Sequence, residues 1–382
     1  MRRILLVNLL ILSVFASVSY WTAEREKLEA AMESRVEISM ERETEIFREG
    51  IDTEEKQEED YAAAESETDD FIKWVDFDVS KFALSEAYEY DRDSYGTDAH
   101  ISWIDLLAWT AAYTGGVFDN DRTVYSCIQE LKEQIAAGEE LETLTAELPY
   151  YSYYQEAYAA VLGGMVGEYE IEEVGEDGGV SMVKKYGLKA FHPIAKGFPY
   201  TDYDDFGVSR SYGYERQHLG HDMMGQTGTP IIAVESGYVE ALGWNQYGGW
   251  RIGIRSFDGL RYYYYAHLRQ GFPWQPDLEE GSVVLAGDVI GYMGHTGYST
   301  TEDTNNIDET HLHFGMQLIF DESQKEGNGE IWIDCYQIIG FLYRQQSEVK
   351  RDDETKVWRR VYQMKDPAAE SYERTKDFSM YP

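Results

Sequence analysis

Short apolar runs separated by glycine-rich turns fill the second half of the chain. Gly228–Val234, Gly237–Leu242, Trp250–Arg255, Tyr262–Leu268 and Val283–Ile290 are of strand length and rich in β-branched and aromatic residues. Tyr247-Gly248-Gly249 and Asp258-Gly259 between them read as turns. The pattern predicts an all-β, largely antiparallel domain over about residues 186–343. The first half has a different period. Ile101, Ile104 and Ala108 share one face, and Val124, Ile128, Leu131 and Ile135 recur at spacings of three and four. Leu141, Leu144 and Leu148 predict a shorter helical segment ending at Pro149, and Tyr150–Gly164 continues in the same style. Residues 71–174 thus read as a small helical domain, closed by an acidic glycine-rich break at Gly175–Gly179 that marks a domain boundary. Residues 344–382 read as a charged tail with helical character around Val357–Tyr362.

At the other end, Met1-Arg2-Arg3 precedes an apolar run from Ile4 to Trp21. Residues 1–21 are therefore expected to be a membrane anchor or a signal peptide. Tyr20 and Trp21 at the outer end favour a retained anchor, with everything after it exported. Residues 22–70 predict an acidic stalk or linker: 24–48 mixes acids and bases as a solvated helix does, and 54–70 is dominated by acids.

Composition narrows the function. A length of 382 residues admits two or three domains, and 43% apolar residues with 31 tyrosines suffice for a sizeable core. The net charge of -38 excludes nucleic acid as a partner and broad adhesion to anionic lipid, both of which need a basic face. Cys127 and Cys335 lie far apart, give no metal motif, and read as two buried thiols, with a single cross-domain disulfide as the alternative.

The candidate chemistry is concentrated in the histidines. Of eight in the chain, six fall between His218 and His313. His311 and His313 share a parity that turns both to one face of a strand while Leu312 and Phe314 enter a core. His218 and Asp222 share a parity too, with Gly220 leaving the space between them open. Two imidazoles and a carboxylate converging from separate strands suit a zinc ion with an open fourth position. By the same parity His221 faces away, and His295 falls in a glycine-rich turn near the site. Tyr263 and Tyr265 share the parity of His267 and either line a groove or pack within the sheet. His100 and His192 receive no role.

Residues 205–320 resemble the M23 peptidases, the lysostaphin- or LytM-type zinc endopeptidases that act on bacterial peptidoglycan. The resemblance rests on His218-x-Gly220-x-Asp222, Gly228-Thr229-Pro230-Ile231-x-Ala233, Gly237-x-Val239 and Tyr265-Ala266-His267-Leu268. It continues through Gly287-Asp288-x-Ile290-Gly291, Gly294-x-Thr296-Gly297-x-Ser299 and His311-Leu312-His313-Phe314. It implies a mainly antiparallel β catalytic domain with a LytM-like groove, here preceded by the helical domain and the N-terminal membrane segment. It also implies His218, Asp222 and His313 as zinc ligands and His267 and His311 as the catalytic histidines. His311 is expected as general base and His267 as acid or oxyanion partner. A tyrosine near the metal, Tyr212 or Tyr214, would donate to the oxyanion.

Two departures stand out. Thr301–Glu309 is an inserted polar loop before the last motif, and Thr310 and Gly315 replace the usual proline and a frequent glutamate. The expected function is zinc-dependent hydrolysis of stem or cross-bridge peptides outside the cytoplasm. The competing expectation is a non-catalytic envelope scaffold, and the helical domain is a candidate docking element for an envelope protein.

Overall fold

The computed structural model describes residues 71–211, 215–325 and 329–379. The apolar run, the acidic segment, Tyr212 and Tyr214 lie outside the described residues. Among those described, no helix is long and apolar enough to cross a membrane. Phe71–Ala112 and Phe118–Pro382 form one compact unit; of the second unit only Tyr113–Val117 is described.

Five helices open the described part of the chain: α1 (Lys81–Ser94), α2 (Trp103–Thr114), α3 (Asp121–Ala136), α4 (Leu141–Thr145) and α5 (Tyr151–Leu162). Their boundaries follow local chemistry. The Ser80 hydroxyl accepts from the Ala83 N–H at the start of α1, and the Asn120 side chain accepts from the Arg122 and Thr123 N–H groups at the start of α3. Val124, Ile128 and Leu131 are buried, as their spacing predicts. His100 is structural: it bonds Asp91 at 2.8 Å, and Asp91 also accepts from the Trp103 N–H and the Tyr186 hydroxyl.

The helical reading overruns its end. Residues 166–174 form strand β1 (Val166–Val174), which pairs antiparallel along its whole length with β2 (Val180–Leu188). Gly175–Gly179 is accordingly a hairpin turn, closed by Gly175 N–H to Gly179 O and by the Asp177 side chain on the Gly179 N–H, and no domain boundary. The alternation Tyr169, Ile171 carried a strand signal that the surrounding glutamates obscured.

Seven strands form the ordered path of the central sheet: β3 (Thr201–Asp202), β4 (His221–Met224), β5 (Gly237–Asn245), β6 (Gly249–Ser256), β7 (Arg261–Ala266), β8 (Val283–Val284) and β9 (His311–Leu318). Their spatial order is β8-β5-β6-β7-β9-β4-β3, and β10 (Ile331–Ile333) also pairs with β9. All these pairings are antiparallel. One face packs inward through Ile252, Ile254, Tyr263, Tyr265, Phe314 and Met316, all buried. The opposite face is left open as a groove.

The expected tail is part of the fold. Val349–Arg351 pairs with Trp358–Arg360, so the region around Val357–Tyr362 is extended where a helix was expected. Met364–Lys365 adds to β1 as a third strand, and Met364 joins a cluster with Tyr169, Phe191, Ile232 and Val289. Arg360 donates to the Ala286 carbonyl at 2.8 Å and stands 3.1 Å from Asp288. Charged residues thus cover apolar strands with their stems, which composition alone reads as tail.

Arg261 joins helices to sheet. Its side chain is fully buried, with Nε 2.8 Å from Glu235 Oε2 and Nη2 2.6 Å from Asp258 Oδ2. Nη1 donates to the Ala160 carbonyl at 2.6 Å, in the last turn of α5, and the Tyr263 hydroxyl donates to Glu235 at 2.6 Å. Arg261→Met would leave Glu235 charged and buried without its cation, and loss of one partner of such a pair costs about 3–5 kcal/mol. Urea unfolding of the variant should show that loss; a drop below about 1 kcal/mol would mean that water reaches Glu235 and the joint is weak.

Candidate active site

Strand pairing assembles the site. β9 runs against β4 with His313 opposite Asp222, His311 opposite Met224 and Phe314 opposite His221. Directly opposed residues share a face, so Asp222 and His313 point together into the groove while Leu312 and Phe314 are buried behind them. His218 arrives from the segment before β4. Its backbone is held against residues 207–208 by Gly207 N–H to His218 O and His218 N–H to Val208 O. Gly220 is required there: a Cβ would stand 2.5 Å from His313 Cε1 and 2.9 Å from the Phe314 carbonyl.

Three ligand-type atoms converge. His218 Nε2 lies 3.1 Å from Asp222 Oδ1 and 3.0 Å from His313 Nδ1, and His313 Nδ1 lies 2.9 Å from Asp222 Oδ1. The second nitrogen of His218 is already engaged: Nδ1 stands 3.0 Å from the Asp205 carbonyl and 3.2 Å from its carboxylate. Both are acceptors, so Nδ1 carries the proton and Nε2 presents a lone pair to the Asp222 carboxylate. Two acceptors 3.1 Å apart demand a cation, and the edges of the triangle are close to the roughly 3.3 Å expected between ligands of a tetrahedral zinc ion. The residues fit such an ion.

Burial opposes ionisation of Asp222, but the imidazoles of His218, His313 and His311 crowded against it outweigh burial and hold its carboxyl far below the usual range. Burial also lowers His313, against the pull of Asp222.

His267 and His311 complete the cluster, with ring centroids 4.7 Å apart. Each has Nδ1 on a carbonyl: His267 on Thr296 O at 3.0 Å, His311 on Glu309 O at 2.9 Å. Each therefore turns an unprotonated Nε2 toward the groove. His311 Nε2 is 3.8 Å from Asp222 Oδ2. His267 sits just past the end of β7 with φ of 59°, a left-handed conformation uncommon for a side-chain-bearing residue. Burial first, then His311 and His313, push its basicity well below the ordinary histidine value.

That left-handed residue corrects the parity reading of the tyrosines. Tyr263 and Tyr265 do not share the groove with His267. They are buried behind the sheet, where Tyr263 bonds Glu235 and Tyr265 accepts from the Val234 N–H. Tyr262 and Tyr264 line the groove in their place. For His221 the parity reading holds: it faces away and bonds Asp202 at 2.9 Å beside Tyr336. His192 is buried against Tyr200, and both cysteines are free and buried. Asp205, which orients His218, was missed; nothing in its local sequence distinguishes it from Asp204.

The groove encloses about 710 Å³ around His218, His267, His311 and His313. The inserted loop forms part of its rim and is well anchored. Asp303 accepts from Trp250 Nε1 at 2.7 Å and from the Gly271 N–H at 2.8 Å, and His295 Nδ1 bonds the Ile307 carbonyl at 2.7 Å. Ile307 and Tyr298 reach the groove. At Gly315 a Cβ would come within 2.6 Å of the Trp332 ring, so this tryptophan occupies the room a side chain would need.

Residues 216–326 match Peptidase family M23. The L-Ala–D-Glu endopeptidase of Bacillus subtilis (strain 168) is 40% identical over 124 residues, 32% of this chain and 36% of that protein. Lysostaphin of Staphylococcus simulans is 35% identical over 120 residues, 31% of this chain and 20% of its own. The chain thus spans about a third or less of these relatives' length. A solved LytM-like structure from Ruminococcus gnavus, 24% identical, covers 70% of this chain and 97% of its own with a TM-score of 0.45. His218, Asp222, His267, His311 and His313 all fall inside the matched segment, and the chain carries a peptidase domain of family M23.

Proposed function

We propose that this chain is a zinc-dependent endopeptidase that hydrolyses peptide bonds of peptidoglycan. The observation that carries the reading is the convergence of His218 Nε2, Asp222 Oδ1 and His313 Nδ1, with His267 and His311 beside them. A zinc ion held by those three ligands supplies Lewis acidity to water and to the scissile carbonyl.

The remaining steps belong to the histidines. His267, kept neutral by burial and by two neighbouring imidazoles, takes the proton from water at Nε2. His311, once protonated at Nε2, gives that proton to the leaving amine and recovers one from His267, so the pair returns to its starting state. This exchanges the two roles expected from sequence, and the reason is that burial and the two neighbouring imidazoles keep His267 neutral. The Thr296 and Glu309 carbonyls keep each imidazole in the tautomer that this traffic needs. The 40% identical relative is named for the L-Ala–D-Glu bond, which makes that bond the first to test here. The apolar run at residues 4–21 supports export, placing the groove on the side of the membrane where the wall lies. Retention of all five polar positions leaves the scaffold alternative without support.

Purified protein should bind one zinc ion per chain and release new amine ends from whole peptidoglycan. His313→Ala should abolish both, and His221→Ala, on the far side of β4, should keep zinc. Protein that folds yet binds no zinc, or loss of zinc in both variants alike, would refute the site. Asp205→Ala removes one acceptor from His218 Nδ1 and should weaken zinc about tenfold in a chelator competition. Unchanged affinity would reduce Asp205 to packing.

A further inference from the structure

The groove holds a cation that the hydrolytic reading does not use. Arg251 lies on β6, on the face opposite the buried Ile252 and Ile254. Ile252 pairs with Tyr265, and Tyr265 with Phe314. The next residues along the three strands are therefore Arg251, Ala266 and His313, and all three line the groove. Two strand spacings, roughly 10 Å, separate the backbones of Arg251 and His313. Between them Ala266 contributes only a methyl group.

Arg251 is differently placed from the other cations of this region. Arg255 is paired with Glu322, Arg261 with Glu235 and Asp258, and Lys325 with Glu240 at 2.5 Å. Among the described residues no carboxylate forms an ion pair with Arg251. Its neighbour is the Tyr262 hydroxyl, and its Nε is buried without a hydrogen-bond partner. Leaving a buried donor unsatisfied is costly, and a guanidinium matches a carboxylate with two parallel hydrogen bonds. The chain as a whole carries a net charge of -38, so holding an anion requires a local cation such as this one.

We propose that Arg251 binds a free carboxylate of the substrate, so that this groove selects an acidic peptide. An extended peptide advances about 3.3 Å per residue, which puts the recognised carboxylate within about three residues of the scissile bond. The proposal rests on the hydrolase reading for its position relative to the cut, but the anion site can be tested without cleavage.

The test uses two peptides containing L-Ala–D-Glu that differ only in whether the glutamate α-carboxyl is free or amidated. The wild-type protein, loaded with zinc, should show kcat/KM about tenfold to a hundredfold higher for the free acid, the usual size of a charged hydrogen-bond pair. In Arg251→Met the ratio should fall to near one, and in Arg251→Lys an intermediate preference should remain. Zinc stoichiometry of each variant verifies that the fold is intact. Equal rates with the wild type, or a preference that survives in Arg251→Met, overturns the proposal. Binding of the same peptides, followed by tryptophan fluorescence, separates the two readings. Preferential binding of the free acid without cleavage keeps the anion site and refutes the hydrolase, whereas equal binding refutes the anion site.

Discussion

Three atoms that each prefer a positive partner are held about 3 Å from one another, and the strand pairing of β4 with β9 does the holding. In an antiparallel pair, residues directly opposite share a face. His313 opposite Asp222 therefore fixes two of the three atoms, whatever else the domain does. The third, from His218, depends on a backbone clamp to residues 207–208 and on the missing side chain of Gly220. Nothing in this arrangement stabilises the fold by itself. It stores an unfavourable contact that a cation relieves, which is how a binding site differs from a packed core.

Around that contact the histidines are locked by acceptors that cannot move freely. His218, His267 and His311 each place Nδ1 on a backbone carbonyl, from Asp205, Thr296 and Glu309 respectively. Those carbonyls determine the tautomer, and the tautomer determines which imidazole can accept a proton. His267 adds a backbone constraint. Its left-handed φ costs on the order of 1–3 kcal/mol, and the cost is met because β7 ends there and the chain must turn its next side chain into the groove.

The sequence carried much of the site and less of its surroundings. Parity along β4 and β9 was legible because both are regular strands with one buried face, so Asp222, His313, Leu312 and His221 fell where a period of two puts them. It failed at Tyr263 and Tyr265 because one left-handed residue after the strand reverses the alternation. It could not find Asp205, whose role depends on a chain reversal of thirteen residues. The strand at Val166–Val174 and the strands after residue 344 were hidden for a different reason. Val166–Val174 and Val349–Arg351 each pair with a neighbouring hairpin strand, but their outer faces are charged, and the strand Met364–Lys365 that completes the first sheet lies far away in sequence, as with Glu170 and Lys365. Local pattern reports burial on one face; it does not report who supplies the burial.

The site is small, yet its five side chains come from segments spread between residues 218 and 313 and are oriented by others as distant as Asp205. Their relative placement is only as fixed as the sheet that carries β7, β9 and β4. That sheet is bound to the helical segment through Arg261, which lies on β7, six residues before His267. Arg261 satisfies carbonyls of α5 and the buried Glu235 together, so any displacement of α5 leaves a buried guanidinium N–H without its acceptor on the strand that ends just before His267. The helices, which contribute no group to the groove, thus act on it by holding one strand. Separation of the helical segment would loosen the position of His267 before it disturbed the zinc ligands, because β4 and β9 pair with each other directly.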